Sequence, residues 1–518
     1  MRKKLLCGIS AAMTLVPGLL YGQKIVLPAD WQNLDLKKNG VFGIGIDKAY
    51  EQLQKGKKAR TVIVAVIDGG LDISQEDLQG VIWTNPREIP GNGRDDDHNG
   101  YVDDIHGWNF LGSAHDDYEY DNDDLVIEIR RGLARFGNRD STALSPVELR
   151  DYRQYLLNRK ALQARLDEAG KDISHMNQLM ADIDSILRKM GKTEPTVNDF
   201  EQFVPTDPTL ENTRKLILSE LKKNPDFKGY MDHAKHLLEE REHDVQYLLN
   251  INYDPRARYA ADYAPERGRF YGNPHVSGAV PPEHGTHVAG IIGALRHNGI
   301  GINGVADHVL IMPVRAIPDG GGRDIDEANA IRYAAENGAK VINMSFGLST
   351  ANDRVAVEAA VKYAASKDVL FIQAAGNGGD NLDLSHGYPD RSAGNTGILR
   401  YFIKVGASGA QDDDRLLPHY SNYGKIAVDV FAPGVNINST MPGNRYEVHS
   451  GTSMAAPVVA GLAAVIREYY PKLTAIQVKE IILRSVTKRD ILIDKCVSGG
   501  VVNACGALKL AATYPVNK

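Results

Sequence analysis

Three short segments of this chain hold residue types that together make a nucleophile. Asp68 lies in Ala65-Val66-Ile67-Asp68-Gly69-Gly70, His284 opens His284-Gly285-Thr286-His287-Val288-Ala289-Gly290, and Ser453 lies in Gly451-Thr452-Ser453-Met454-Ala455-Ala456-Pro457. A fourth segment, Ala374-Ala375-Gly376-Asn377-Gly378, falls between the last two. A serine hydroxyl attacks a carbonyl only when a neighbouring base takes its proton, and that base must itself be oriented. His284 is the candidate base, Asp68 the orienting carboxylate and Ser453 the nucleophile. The charge that develops on the attacked oxygen needs fixed donors. The Asn377 side-chain amide and the Ser453 backbone N–H are the candidates.

Such groups, far apart in sequence, need a rigid frame. Thr61 to Ile67 is a β-branched and apolar run, which predicts a strand buried on both faces of a parallel sheet. Comparable runs are Leu310 to Ile317, Val341 to Phe346, Val369 to Ala375, Tyr401 to Ala407 and Ile426 to Phe431. Helical stretches lie between several of them, one from an N-cap at Asp324 to a C-cap at Gly338. Strands alternating with helices predict an α/β fold with a doubly wound, mostly parallel sheet, functional groups gathering at the carboxyl ends of strands. The small-residue run Ala455 to Ile466 reads as a buried helix whose N-terminal dipole faces Ser453, with Pro457 tolerated in its first turn.

Residues 112–273 have a different texture, polar and helically periodic. Leu149, Tyr152, Leu156, Arg159 and Leu166 share one helical face. Met176, Leu179, Met180, Ile183, Leu187 and Met190 form a second stripe, and Ala234, Leu237, Leu238, Arg241, Val245 and Leu248 a third. This reads as an α-helical insertion between two parts of one catalytic domain, 23–111 and 274–518. Its apolar stripes need burial, so it is expected to cap the active site, with a peripheral decoration or a contact between copies of the chain as the alternative.

The four motifs, in the order Asp, His, Ser with the Asn segment before the Ser, resemble the subtilase family of subtilisin-like serine proteases, over about Arg60 to Leu111 and Pro281 to Leu510. The resemblance implies a subtilisin-like fold and peptide-bond hydrolysis through an acyl-enzyme, with protein or peptide substrates and no organic cofactor. It makes the first histidine of its motif, His284, the base and leaves His287 structural. Asp72 does not match the motif, and a zinc site on His284 and His287 lacks an acidic partner. Ser345, Phe346, Gly347 and Gly376 match the substrate-binding segments, where an extended peptide pairs with a strand edge. Two positions depart from the pattern: Gly69 stands where Ser or Thr is usual, removing a hydrogen bond to the aspartate, and Leu348 stands where a second Gly is common. Tripeptidyl-peptidase-type subtilases also carry a long insertion between Asp and His, so exopeptidase activity is the alternative to an endopeptidase. A catalytically dead peptide-binding protein is the other.

Asp95-Asp96-Asp97-His98-Asn99-Gly100 places oxygen ligands at alternate positions before a turn-forming glycine, which suits calcium. Asp95, Asp97 and Asn99 are the expected ligands, and Asp103 or Asp104 substitutes for the missing final acid. The family resemblance implies a second calcium site at Asp77 and at Asn298 in the loop Leu295 to Ile302.

Arg2, Lys3 and Lys4 before an apolar stretch from Leu5 to Leu20 read as a signal peptide ending at Gly22. Export to the periplasm, the cell surface or the medium is therefore expected, without stable membrane insertion. Cys496 and Cys505 are then either a disulfide or two separate thiols. With 43% hydrophobic and 24% charged residues and a formal net charge of −6, the composition is that of a globular protein and argues against nucleic-acid partners.

Overall fold

The fold is described from a computed structural model, in residues 27–223, 225–263, 268–347, 354–384 and 396–515. The expected leader, residues 1–22, and Leu348 lie outside them. The strands, in chain order, are β1 (Val62–Asp68), β2 (Trp108–Asn109), β3 (Val309–Arg315), β4 (Val341–Met344), β5 (Leu370–Ala374), β6 (Phe402–Ser408), β7 (Val430–Pro433), β8 (Ile437–Met441), β9 (Arg445–His449), β10 (Thr487–Lys488) and β11 (Gly500–Val501). Nine of them form one sheet in the order β10-β11-β7-β6-β5-β4-β1-β3-β2, parallel in every pairing except β10 with β11. This is an α/β fold of the doubly wound, subtilisin-like kind.

The two-residue period of β1 decides which way its last residue points. Val62, Val64 and Val66 enter the core that holds the helices Glu283–Gly293 and Thr452–Tyr469. Ala65 and Ile67 enter the opposite core, with the helix Asp324–Glu336. Asp68 has the parity of the first set, so its carboxylate emerges on the face that carries His284 and Ser453. Two expected boundaries shift. Asp324 is the first helical residue and Arg323 is its N-cap. The strand expected from Ile426 begins at Val430, because the Asp383 carboxylate accepts the N–H groups of Ile426 and Ala427 at 3.0 and 2.8 Å. The antiparallel hairpin β8–β9 was not anticipated, although Pro442-Gly443-Asn444 is a turn signal and both Gly443 and Asn444 take positive φ.

The chain divides into two compact units, one comprising Tyr120–Pro255 and the other the residues before and after it. The sequence boundaries of 112 and 273 are therefore too wide. Residues 112–119, 256–263 and 268–273 belong with the sheet: Tyr118 stacks on Tyr259 at 6.0 Å, Tyr263 Oη accepts the Gly112 N–H at 2.8 Å, and Tyr271 Oη donates to Asp326 at 2.5 Å. These aromatic anchors are irregularly spaced, which charge texture and helical periodicity do not register. Within the insertion, the first two stripes lie on one unbroken helix, Pro146–Met190, started by a Ser145/Glu148 capping box and stopped at Gly191 in the left-handed conformation. Tyr155 and Leu162 are buried there, whereas Leu156 is exposed. Val126, Ile129, Phe136, Tyr155, Leu162 and Leu249 form one small core, and Ile183, Ile186, Phe200, Ile217, Leu221 and Phe227 another. Cys496 and Cys505 are free thiols, the first fully buried.

The helix Glu283–Gly293 approaches the end of β1 closely. A Cβ on Gly285 would sit 2.0 Å from the Gly70 carbonyl oxygen and 3.2 Å from Asp68 Cβ. Gly285→Ala is therefore expected to destabilise the fold by about 1–3 kcal/mol. An unshifted urea midpoint would show that helix and strand can part without cost.

Candidate active site

Asp68 closes β1 with its side chain almost wholly buried. Its two carboxylate oxygens lie 2.9 and 3.0 Å from His284 Nδ1, across a chain separation of 216 residues. The backbone N–H of Gly69 donates to Asp68 Oδ1 at 2.8 Å. The glycine thus orients the carboxylate through its main chain, without the side-chain hydroxyl whose loss the sequence suggested. His284, at the start of its helix, is about half exposed. Burial disfavours its charged form, but the Asp68 charge and hydrogen bond outweigh this, and its pKa is raised above the ordinary imidazole value.

Asp72 and His287 have other tasks. The Asp72 carboxylate accepts from Ser74 and from the Gly443 N–H, and its own N–H donates to Thr286. His287 is fully buried and stacks on His449 at 4.4 Å. Its Nε2 lies 3.1 Å from the Glu447 carbonyl oxygen, so that nitrogen carries the proton. Burial, then the neighbouring His449, push its pKa down to about 3, which keeps it neutral.

Ser453 lies in the first turn of the helix Thr452–Tyr469, where backbone N–H groups have no intrahelical acceptor. In this structure its hydroxyl donates to the Ser345 carbonyl oxygen at 2.9 Å, while Ser345 Oγ donates to the Ser453 carbonyl oxygen at 2.8 Å. The Asp68–His284 link is thus made, and the Ser453 hydroxyl is turned to Ser345 rather than to His284. Catalytic hydrogen bonds often tighten only when substrate is bound. Asn377 Oδ1 accepts from both the N–H and the hydroxyl of Thr452 at 2.9 Å, which leaves its Nδ2 group as the outward donor. A Cβ on Gly451 would lie 3.4 Å from Asn377 Nδ2 and 3.7 Å from Ser453 N, so both donors border the same small space.

Sequence reasoning missed the groups that hold this loop. Thr452 Oγ1 accepts the Gly376 N–H at 3.0 Å. Buried Asn422 donates to the Ala375 carbonyl at 2.9 Å and accepts from the Gly378 and Asp380 N–H groups at 3.1 and 2.8 Å. Thr452 was visible inside its motif; Asn422 carried no signal. Ser345, Phe346 and Gly347 follow the carboxyl end of β4, with Ser345 buried, Phe346 half-buried and Gly347 exposed.

The family model described as the subtilase family matches residues 59–507. The chain belongs to the subtilase family. Among curated relatives of this subtilase, a thermophilic serine proteinase of Bacillus sp. (strain AK1) is 46% identical over 184 residues, 35% of this chain and 42% of that protein. Alkaline elastase YaB of Bacillus sp. (strain YaB) is 35% identical over 235 residues, 45% of this chain and 56% of that protein. Subtilisin BL of Lederbergia lenta is 35% identical over 227 residues, 44% of this chain and 77% of that protein. The chain thus spans about half the length of the first two of these relatives.

Among the described residues of the subtilase, one acidic group has metal-like spacing. Glu88, Asp95 and Asp97 offer carboxylate oxygens all within 4.8 Å of one another. Asp103, expected as a ligand, instead accepts the N–H groups of Asn92 and Gly93 at 3.3 and 2.8 Å. Asn99, also expected, accepts from Tyr101 N–H and donates to Asp104. Glu88 lies beside Asp95 and Asp97 because the chain folds back on itself, which spacing within the motif does not reveal. Its Oε2 is buried without a hydrogen-bond partner, and burial, with Asp97 and Asp96 nearby, raises its pKa. Asp77 is fully buried, with Asn298 Nδ2 on one oxygen at 2.6 Å and the Ile302 N–H on the other at 2.8 Å. The structure therefore brings Asp77 and Asn298 together, with one hydrogen bond on each carboxylate oxygen.

Because His284 must be neutral to accept a proton and its pKa is raised, the acid limb of kcat/KM is expected to lie above the ordinary imidazole range, near pH 6.5. Activity should be lost as pH falls through that limb. A profile flat to pH 4 would exclude His284 as the base.

Proposed function

We propose that this subtilase is an exported serine endopeptidase that hydrolyses peptide bonds through an acyl-enzyme and is stabilised by calcium. The observation that carries this reading is the pairing of buried Asp68 with His284, with Ser453 at a helix start and the Asn377 amide left unspent beside it. The names of the relatives, serine proteinases and subtilisins, support it.

In this reading an extended peptide lies along Ser345 to Gly347 by backbone pairing. Ser453 Oγ turns from the Ser345 carbonyl, gives its proton to His284 Nε2 and bonds to the scissile carbonyl carbon. Asp68 holds the Nδ1–H and stabilises the imidazolium that forms. Asn377 Nδ2 and Ser453 N donate to the oxyanion. A side-chain donor of this kind contributes about 3–4 kcal/mol of transition-state stabilisation. His284 then protonates the leaving amine, and a water molecule, deprotonated by the same imidazole, releases the acid and restores Ser453.

For calcium the fitting residues are Glu88, Asp95 and Asp97. A hard dication suits an all-carboxylate set, and the partnerless Glu88 Oε2 is the kind of atom it satisfies. Its contribution is to neutralise charges that otherwise repel within a tight loop.

Two measurements test the reading. An organophosphonate is expected to label Ser453 in the full chain, and Ser453→Ala to abolish both label and turnover while retaining the fold; label on another serine would overturn the assignment. Chelation is expected to lower Tm more than the initial rate, since an ion at a hundredfold excess over Kd stabilises by about 2.7 kcal/mol. An unchanged Tm, with metal analysis showing no bound calcium, would refute the calcium site.

A further inference from the structure

We propose that Arg315 is a positioning residue for the Asp68 carboxylate, acting through Gly69. Arg315 is the last residue of β3 and stands in register opposite Asp68 on β1. Its side chain is fully buried. Nε donates to the Gly69 carbonyl oxygen at 2.9 Å. Nη1 donates to Asn109 Oδ1 at 3.2 Å and faces Asp117 at 3.5 Å. Nη2 donates to the Tyr118 carbonyl at 3.2 Å and to Glu119 at 2.7 Å. A buried guanidinium is tolerable only with such full satisfaction.

The position of Gly69 is what makes this a functional contact. Its N–H is the backbone donor that orients Asp68 Oδ1, yet glycine is the least conformationally restricted residue. The Asp68 carbonyl, on the same peptide unit as that N–H, is gripped by the N–H groups of Ala316 and Ile317 at 3.0 and 3.2 Å. The Gly69 carbonyl, on the following unit, is gripped by Arg315. The end of β3 thus holds the peptide units on both sides of the Gly69 Cα: its main chain holds the unit that carries the orienting N–H, and the guanidinium holds the next one, which the main chain does not. A lysine has no planar fork, so it cannot hold the Gly69 carbonyl and the carboxylates of Asp117 and Glu119 together.

The inference rests on reading Asp68 and His284 as the catalytic pair, and its consequence is legible at His284. Besides Asp68, the titratable and charged groups around His284 are His287, His449 and Glu283, the last paired with Arg445 at 3.0 Å. None of them contacts Arg315. Loosening Gly69 weakens the Asp68–His284 bond, and the His284 pKa falls.

The test is Arg315→Lys in the full chain, with the His284 imidazole titrated by NMR and kcat and KM measured per Ser453 site titrated. The expected result is a His284 pKa about half a unit lower than in the unaltered chain. With it, kcat per site should fall about ten- to a hundredfold at nearly constant KM. Fewer titrated sites with an unmoved His284 pKa and unchanged kcat per site would show a purely structural arginine and overturn the proposal. Should Arg315→Lys not fold, Glu119→Gln loosens the same guanidinium more gently. It is expected to shift the His284 pKa in the same direction by less, and an unmoved pKa in that folded variant would overturn the proposal. The NMR titration needs no turnover, so a chain that fails to hydrolyse peptides refutes the proposed function while Arg315 is still judged at His284.

Discussion

The hydrogen bond between Asp68 and His284 is the constraint around which the catalytic unit is arranged. It joins the end of a central strand to the start of a helix across 216 residues of chain. A buried carboxylate beside an imidazole is favourable only when the geometry is held, because an unpaired charge in that place carries a large desolvation cost. The parity of β1, the bare Gly285 against Gly70 and the backbone amide of Gly69 all serve that geometry. Each is a packing or backbone device, and none is itself reactive.

The same economy governs the serine side. Asn377 can offer its amide outward because Thr452 takes its oxygen, and Thr452 is fixed in turn by Gly376. Asn422 holds the loop that carries Asn377, and Ser345 ties Ser453 to the end of β4. Donors placed in advance lose little on reorganising when charge develops, which is why their value exceeds that of an ordinary surface hydrogen bond. His287 contributes differently: buried, stacked on His449 and kept neutral by burial, it takes no part in the pairing of Asp68 with His284.

The insertion Tyr120–Pro255 has the means to hold its own shape, with a capped helix of 45 residues and two small apolar cores. The sheet-bearing unit secures its own segments differently, through aromatic stacking such as Tyr118 on Tyr259 and buried ion pairs such as Arg256 with Asp326 and Arg315 with Glu119.

Much of the architecture was legible in the sequence because its signals are local. β-branched runs named the central strands, small residues named the helix behind Ser453, and four short motifs singled out Asp68, His284, Asn377 and Ser453. What the sequence left undecided depends on contacts between distant segments. That the Gly69 backbone N–H reaches the Asp68 carboxylate, and that Glu88 lies beside Asp95 and Asp97, could not be read from the motifs. Asn422 and Arg315 had no local signature, since their roles come from reaching across the sheet to main-chain atoms. Residue type and period along one element are written in sequence order. Which carbonyl or carboxylate a buried polar side chain meets is settled only when separate elements pack, and that was the part the tertiary structure decided.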